Sequence, residues 1–162
     1  MSQTHRTLLV ALLAGALPVF ASATVHPDSQ PAPEIAVVIN VDNPLRKLAP
    51  LDLYAIYTGS QRRWADGSAM VAFNFPPDTN LRTLFDWAVL KMTPDEVARF
   101  WIDQRVRGAG RPPRQVPEPT LVARLVAKLP EGIGYLPADV AAGAGRELRV
   151  VARISGGRVI DP

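Results

Sequence analysis

The residues best suited to chemistry in this sequence bind anions, and they lie where a predicted strand passes into a predicted helix: Asp78-Thr79-Asn80-Leu81-Arg82. The first N–H groups of a helix have no intrahelical partner and carry a positive partial charge, so they attract oxyanions. Thr79 and Asn80 add polar side chains, and Arg82 adds a guanidinium within the first turn. We expect a small oxyanion to bind here. The alternative is that Asp78 or Thr79 only caps the helix while Arg82 points to solvent.

A second group of basic residues follows along the chain, with one aspartate, Asp103, among them: Arg99, Arg105, Arg107, Arg111 and Arg114. The guanidinium fork matches phosphate and carboxylate geometry. We therefore expect Arg107, Gly108 and Gly110 to lie beside the first site. The alternative is a solvated helix face followed by a basic loop.

The loop 58–64 is a third candidate site, because it places Trp64 next to Arg62 and Arg63. The indole could stack on a ligand beside the two charges. The alternative is a half-buried tryptophan that anchors the loop.

Several classes of enzyme are disfavoured by composition. The two histidines, His5 and His26, both precede the first predicted strand, which argues against histidine acid–base catalysis, a Ser-His-Asp triad and a zinc site. The absence of cysteine excludes disulfides and thiolate chemistry. The 15 carboxylates are scattered, so a paired-carboxylate hydrolase is not indicated, and no phosphate-binding glycine motif is present. We expect a protein that is not an enzyme and has no cofactor or metal.

The first 23 residues have the pattern of a cleavable signal peptide. His5 and Arg6 precede an apolar run, and Ala21-Ser22-Ala23 supplies the small residues that signal peptidase recognises. The sequence thus predicts export to the periplasm, a polar tether over 24–34 and one folded domain over 35–162. A net charge of +3 does not suggest nucleic acid. No later stretch is apolar and long enough to cross a membrane.

The predicted elements alternate between strands and helices. Continuous apolar runs indicate strands over 35–41, 69–75, 133–136 and 148–154, and Gly156-Gly157 suggests a small terminal hairpin. Helical periodicity indicates helices over 50–57 and 121–129, one after Thr79 and one capped by Thr93, with a loop over 108–119. This order predicts an α/β fold with a central sheet covered by helices.

Four motifs in order resemble the phosphate-binding proteins of bacterial ABC transporters. The match runs from about residue 35 to 151. The first two motifs, similar to that family's DLxxIFxGxxxxWxDG, are Asp52-Leu53-Tyr54-Ala55-Ile56-Tyr57-Thr58-Gly59 and Trp64-Ala65-Asp66-Gly67. Next come Phe100-Trp101 with Gly108-Ala109-Gly110, and then Leu129-Pro130-Glu131-Gly132-Ile133-Gly134-Tyr135, similar to tPGxIGYv. The resemblance implies a single lobe of a type II periplasmic-binding fold, in which two lobes close around an anion near helix N-termini.

The anion-binding loop departs from that family's pattern, which reads roughly R-S-D-G-S-G-T. Its arginine, aspartate and final threonine correspond here to Phe75, Pro77 and Leu81, and among the ligand hydroxyls Thr79 alone is matched in kind. The resemblance therefore implies a phosphate- or oxyanion-binding-like protein whose binding is weak, or depends on a second lobe from another chain or a dimer partner. An ABC permease is the implied partner. The alternative is a ligand-free interaction or sensory module derived from such a lobe.

Overall fold

The computed structural model describes residues 33–162. The predicted signal peptide over 1–23 and nearly all of the predicted tether lie outside the described residues. Within the described part, no helix has the length and hydrophobicity that a membrane crossing requires.

Residues 33–162 form six strands and five helices, and the predicted α/β class is confirmed. The strands are β1 (Ile35–Asn40), β2 (Val71–Asn74), β3 (Arg114–Gln115), β4 (Gly132–Pro137), β5 (Leu148–Ser155) and β6 (Arg158–Ile160). The helices are α1 (Pro50–Tyr57), α2 (Asn80–Val89), α3 (Pro94–Val106), α4 (Pro119–Lys128) and α5 (Ala138–Gly143).

The strands form one mixed sheet in the order β3-β2-β4-β1-β5-β6. β1 lies between β4 and β5 and is antiparallel to both, with Ile39 opposite Ile133 and Asn40 opposite Leu148. All six residues of β1 are buried, and the apolar run over its first five residues is typical of a central strand. β2 is parallel to both of its neighbours, β3 and β4. The parallel strands therefore lie on the side of the sheet that ends at β3.

An aromatic cluster fixes α2 against the sheet. The rings of Phe85 and Tyr135 stack with centroids 3.7 Å apart, and Tyr57 meets Phe85 edge-on at 4.5 Å. Burial raises the pKa of both Tyr57 and Tyr135, so both hydroxyls stay protonated and donate hydrogen bonds. Tyr57 Oη donates to the carbonyl of Phe73 at 3.2 Å, and Tyr135 Oη donates to the Asn74 side chain. These contacts hold the end of β2 and the middle of α2 against each other.

Most element boundaries agree with local sequence signals. α1 has the predicted bounds, Thr93 and Glu96 form the predicted capping box of α3, and the terminal hairpin is present. Two elements were not predicted. β3 is a two-residue strand within the segment predicted to be a loop, and α5 is a six-residue helix. Both are too short to produce a periodic pattern.

Candidate functional site

Thr79 is the N-cap of α2, and its hydroxyl is occupied by the chain itself. Thr79 Oγ1 accepts a hydrogen bond from the Arg82 N–H at 3.4 Å and donates to the carbonyl of Pro76 at 2.8 Å. The backbone N–H of Thr79 donates to the same carbonyl at 3.2 Å. The hydroxyl is therefore a structural cap, and a ligand would meet the amides beyond it.

The first turn of α2 is open to solvent. Asp78 and Asn80 are exposed, and Thr79 is half-buried. Within residues 33–162, the N–H groups of Asn80 and Leu81 have no acceptor. Two unpaired amides at a helix start can bind an oxyanion, although the Asp78 carboxylate next to them repels one.

Arg82 turns into the protein, which differs from both sequence interpretations of this residue. Its side chain is 7% exposed, its Nε forms an ion pair with Asp86 one turn along α2, and its Nη1 donates to the carbonyl of Phe75 at 2.9 Å. The guanidinium thus joins α2 to the end of β2, and the Asp86 carboxylate neutralises its charge.

Asp86 has one buried oxygen that the described residues leave unsatisfied. Asp86 Oδ1 has no hydrogen-bond partner in residues 33–162. Burial raises the pKa of this carboxyl, and the neighbouring Arg82 charge acts in the opposite direction with a smaller effect. The pair borders a cavity of about 150 Å³ that also touches Trp101 and Pro112-Pro113, so the loop after α3 covers this side of α2.

Arg107, Gly108 and Gly110 occupy two different places. Arg107 is exposed at the end of α3, where its Nε lies 3.0 Å from Asp103 Oδ1 in a surface ion pair. Gly108 follows with φ 64° and is also exposed. Arg107 and Gly108 border neither the cavity beside Asp86 nor the cleft described next, whereas Gly110 lines that cleft.

Three arginines border one opening at the start of β2. A cleft of about 540 Å³ is bordered by Arg62, Arg111 and Arg114, together with Gly110 and the first residues of β2. The sequence places Arg62 in one candidate site and the other two arginines in another. The pairing of β3 with β2 and the hydrogen bond from Arg62 to the Ala109 carbonyl bring them together, and no local pattern signals either contact.

Trp64 anchors its loop, as the alternative interpretation of the sequence proposes, and does not bind a ligand in the cleft. Its side chain is buried, at 8% exposure, and its Nε1 donates to the carbonyl of Glu131 at 3.1 Å. The tryptophan anchors the loop after α1 to the start of β4 and does not face the cleft.

Comparison with known proteins identifies the fold. Neither a family model nor a curated protein matches the chain. Among solved structures, an ABC-type phosphate transport receptor from Vibrio cholerae superimposes with a TM-score of 0.58 at 15% identity, over 74% of this chain and 45% of that one. The fold is that of one lobe of a phosphate ABC transporter substrate-binding protein.

Two further solved structures agree. PstS from Borrelia burgdorferi gives a TM-score of 0.54 at 15% identity, over 74% of this chain and 48% of that one. A Clostridium perfringens protein, assigned as a phosphate ABC transporter substrate-binding protein and solved with bound phosphate, gives 0.57 at 17% identity over 74% and 45%. The chain therefore spans less than half the length of these substrate-binding proteins.

Proposed function

We propose that this protein is a periplasmic, oxyanion-binding-like lobe, exported by its N-terminal signal peptide, that acts as a component of phosphate ABC transport and not as an enzyme. The observation that supports this most directly is the open first turn of α2, with the unpaired amides of Asn80 and Leu81, in a substrate-binding-protein fold. Asp78, Thr79, Asn80 and Arg82 form or support the site. A second lobe, a dimer partner or an ABC permease is the proposed partner.

The site on its own binds weakly. A hydrogen bond to a charged group contributes about 1.5–3 kcal/mol net, so two amides give about 3–6 kcal/mol, and repulsion from the neighbouring Asp78 carboxylate leaves binding in about the millimolar range. Arg82 adds little, because its charge is balanced by Asp86. A phosphate dianion removed from water needs more donors than this turn offers, and a second lobe closing over α2 would supply them.

The proposal is tested by titrating the isotope-labelled protein with phosphate, sulfate and small carboxylates while following backbone amide resonances. We expect millimolar binding, with the largest shifts at Asn80 and Leu81. Asn80→Pro removes one donor at the first helical position, where proline is tolerated, and should weaken binding. Asn80→Ala keeps the amide and is the matched control. Silence toward all the anions at about 10 mM would remove the transport interpretation.

The second candidate function is a ligand-free interaction or sensory module. Ile102 and Val106 lie four residues apart on α3 and are 63% and 81% exposed, so they form one apolar surface on that helix. An envelope partner that docks there should co-purify with the wild-type protein and be lost with Ile102→Asp. If the partner co-purified with the wild type and with Ile102→Asp alike, this surface would not be the docking site.

A further inference from the structure

The arginine cleft lies at the opposite end of β2 from α2. Val71 and Ala72, the first residues of β2, border it, whereas α2 follows the last residues of that strand. β3 pairs with β2 only at Phe73 and Asn74. Ahead of β3 stand Pro112 and Pro113, which have no N–H group to extend the ladder, so the chain diverges and leaves a wedge beside the start of β2.

The cleft carries positive charge that no lining residue balances. Arg62, Arg111 and Arg114 border it, and its lining contains no aspartate or glutamate. Within the described part of the chain, none of these three arginines forms an ion pair. Three guanidinium groups around one opening therefore favour an anionic ligand.

Arg62 is held in position by the backbone. Its Nε donates to the carbonyl of Gly59 at 2.8 Å, and its Nη2 donates to the carbonyl of Ala109. Gly110 has φ 152°, and a Cβ there would overlap the Arg62 guanidinium, so glycine is required for this approach. Carbonyl groups orient the guanidinium without neutralising it, and Nη1 has no partner in residues 33–162 to compete with a ligand.

The walls of the cleft are largely apolar. Ile56, Met70, Val71 and the two prolines supply aliphatic surface, and about 540 Å³ falls within the usual range for small-molecule sites. Inorganic phosphate would leave this surface without a contact. An anion that carries an aliphatic or aromatic group would use both the charge and the wall.

We propose that this cleft is a second binding site, distinct from the start of α2, for a small organic anion. Arg62, Arg111 and Arg114 bind its carboxylate or phosphate group, and Ile56, Met70 and Pro112-Pro113 contact its apolar part. This proposal does not depend on oxyanion binding at α2, because the two sites share no residue.

The test uses phenyl phosphate, benzoate, inorganic phosphate and the neutral benzyl alcohol as probes, followed by amide shifts of the labelled protein. We expect phenyl phosphate or benzoate to shift Gly59, Gln61 and Val71, whichever head group the site prefers. The preferred one of the two should bind at least about tenfold more tightly than inorganic phosphate or benzyl alcohol at these residues. Asn80→Pro should leave these shifts unchanged, which separates this site from that at α2.

The double variant Arg111→Gln/Arg114→Gln keeps the hydrogen bonds from Arg62 to the backbone carbonyls. It should weaken binding by about tenfold or more. Arg107→Gln removes a positive charge from the neighbouring surface and is the control. It should leave binding in the cleft unchanged. Equal weakening by the control, equal binding of benzyl alcohol, or no shift around the cleft at about 10 mM probe would overturn the proposal.

Discussion

The two ends of β2 place arginine in opposite roles. At the end that leads into α2, Arg82 is buried, paired with Asp86 and bonded to the Phe75 carbonyl. At the start of the strand, Arg62 also donates to backbone carbonyls, yet no carboxylate faces it. The same side chain is thus a structural tie at one end and a charge available to a ligand at the other. The position of the nearest carboxylate, more than the number of arginines, decides which role applies.

The largest effect should follow from breaking the tie at Arg82. Arg82→Leu leaves the Asp86 carboxylate buried without its partner and should lower the free energy of unfolding by about 3–5 kcal/mol. Urea unfolding followed by circular dichroism measures this.

The matched control is the double variant Arg82→Leu/Asp86→Leu, which removes both charges and should recover most of the loss. A loss below about 1 kcal/mol in the single variant would mean that Arg82 is not a structural tie.

The second largest effect should follow from disturbing the contact between Gly110 and the Arg62 guanidinium. Gly110→Ala places a methyl group against the guanidinium at a φ of 152°, and should lower the free energy of unfolding by about 1–3 kcal/mol. It should also displace Arg62 and weaken binding in the cleft. Gly108→Ala is the control, because Gly108 has positive φ but no atom near its Cβ position, so it should lose only about 1–2 kcal/mol and leave cleft binding intact.

Sequence reasoning succeeded where the signal was local. The capping box at Thr93 and the proline at the start of α1 depend on neighbouring residues, and both were predicted. The inward turn of Arg82 was missed, although the spacing of Arg82 and Asp86 at four residues was a visible signal for an ion pair on one helix face. Which side of α2 that pair occupies is decided by the aromatic packing of Phe85 on Tyr135, a contact between residues 50 positions apart.

The arginine cleft could not be predicted, for the same physical reason. Arg62 and Arg114 are brought together by the parallel pairing of β2 with a two-residue strand, and that pairing has no periodic signature. Gly110 is one of two glycines in a proline-rich loop, which only weakly indicates a special backbone conformation there. Its partner, Arg62, lies far away in sequence, so the reason for the glycine appears only in the folded chain.

The pH dependence of stability should distinguish the buried pair from surface carboxylates. Burial raises the pKa of Asp86 above its unfolded value, so the folded state binds its proton more tightly than the unfolded state does. Its contribution to stability is fully present below the unfolded pKa of about 3.9 and is lost as pH rises through the folded pKa. The free energy of unfolding of the wild type minus that of Asp86→Asn should therefore fall as pH increases from about 3 to 7.

Glu96 provides the control of opposite sign. Hydrogen bonds from Thr93 lower the pKa of Glu96, so its stabilisation is present above its unfolded pKa and is lost as pH falls through the folded value. The difference between wild type and Glu96→Gln should rise with pH. If both differences rose together, the Asp86 carboxyl would be stabilised in its charged form, and Arg82 would outweigh burial.

The smallest effect should come from the arginines that lack a carboxylate. Arg111 and Arg114 are exposed and form no ion pair within the described residues, so Arg111→Gln and Arg114→Gln should each change the free energy of unfolding by less than about 0.5 kcal/mol. Urea unfolding at low salt, where mutual repulsion is strongest, should reveal neutrality or slight stabilisation. A clear loss of stability would mean that these side chains hold the loop before β3 in place, as Arg82 holds α2. The contrast between the two ends of β2 would then disappear.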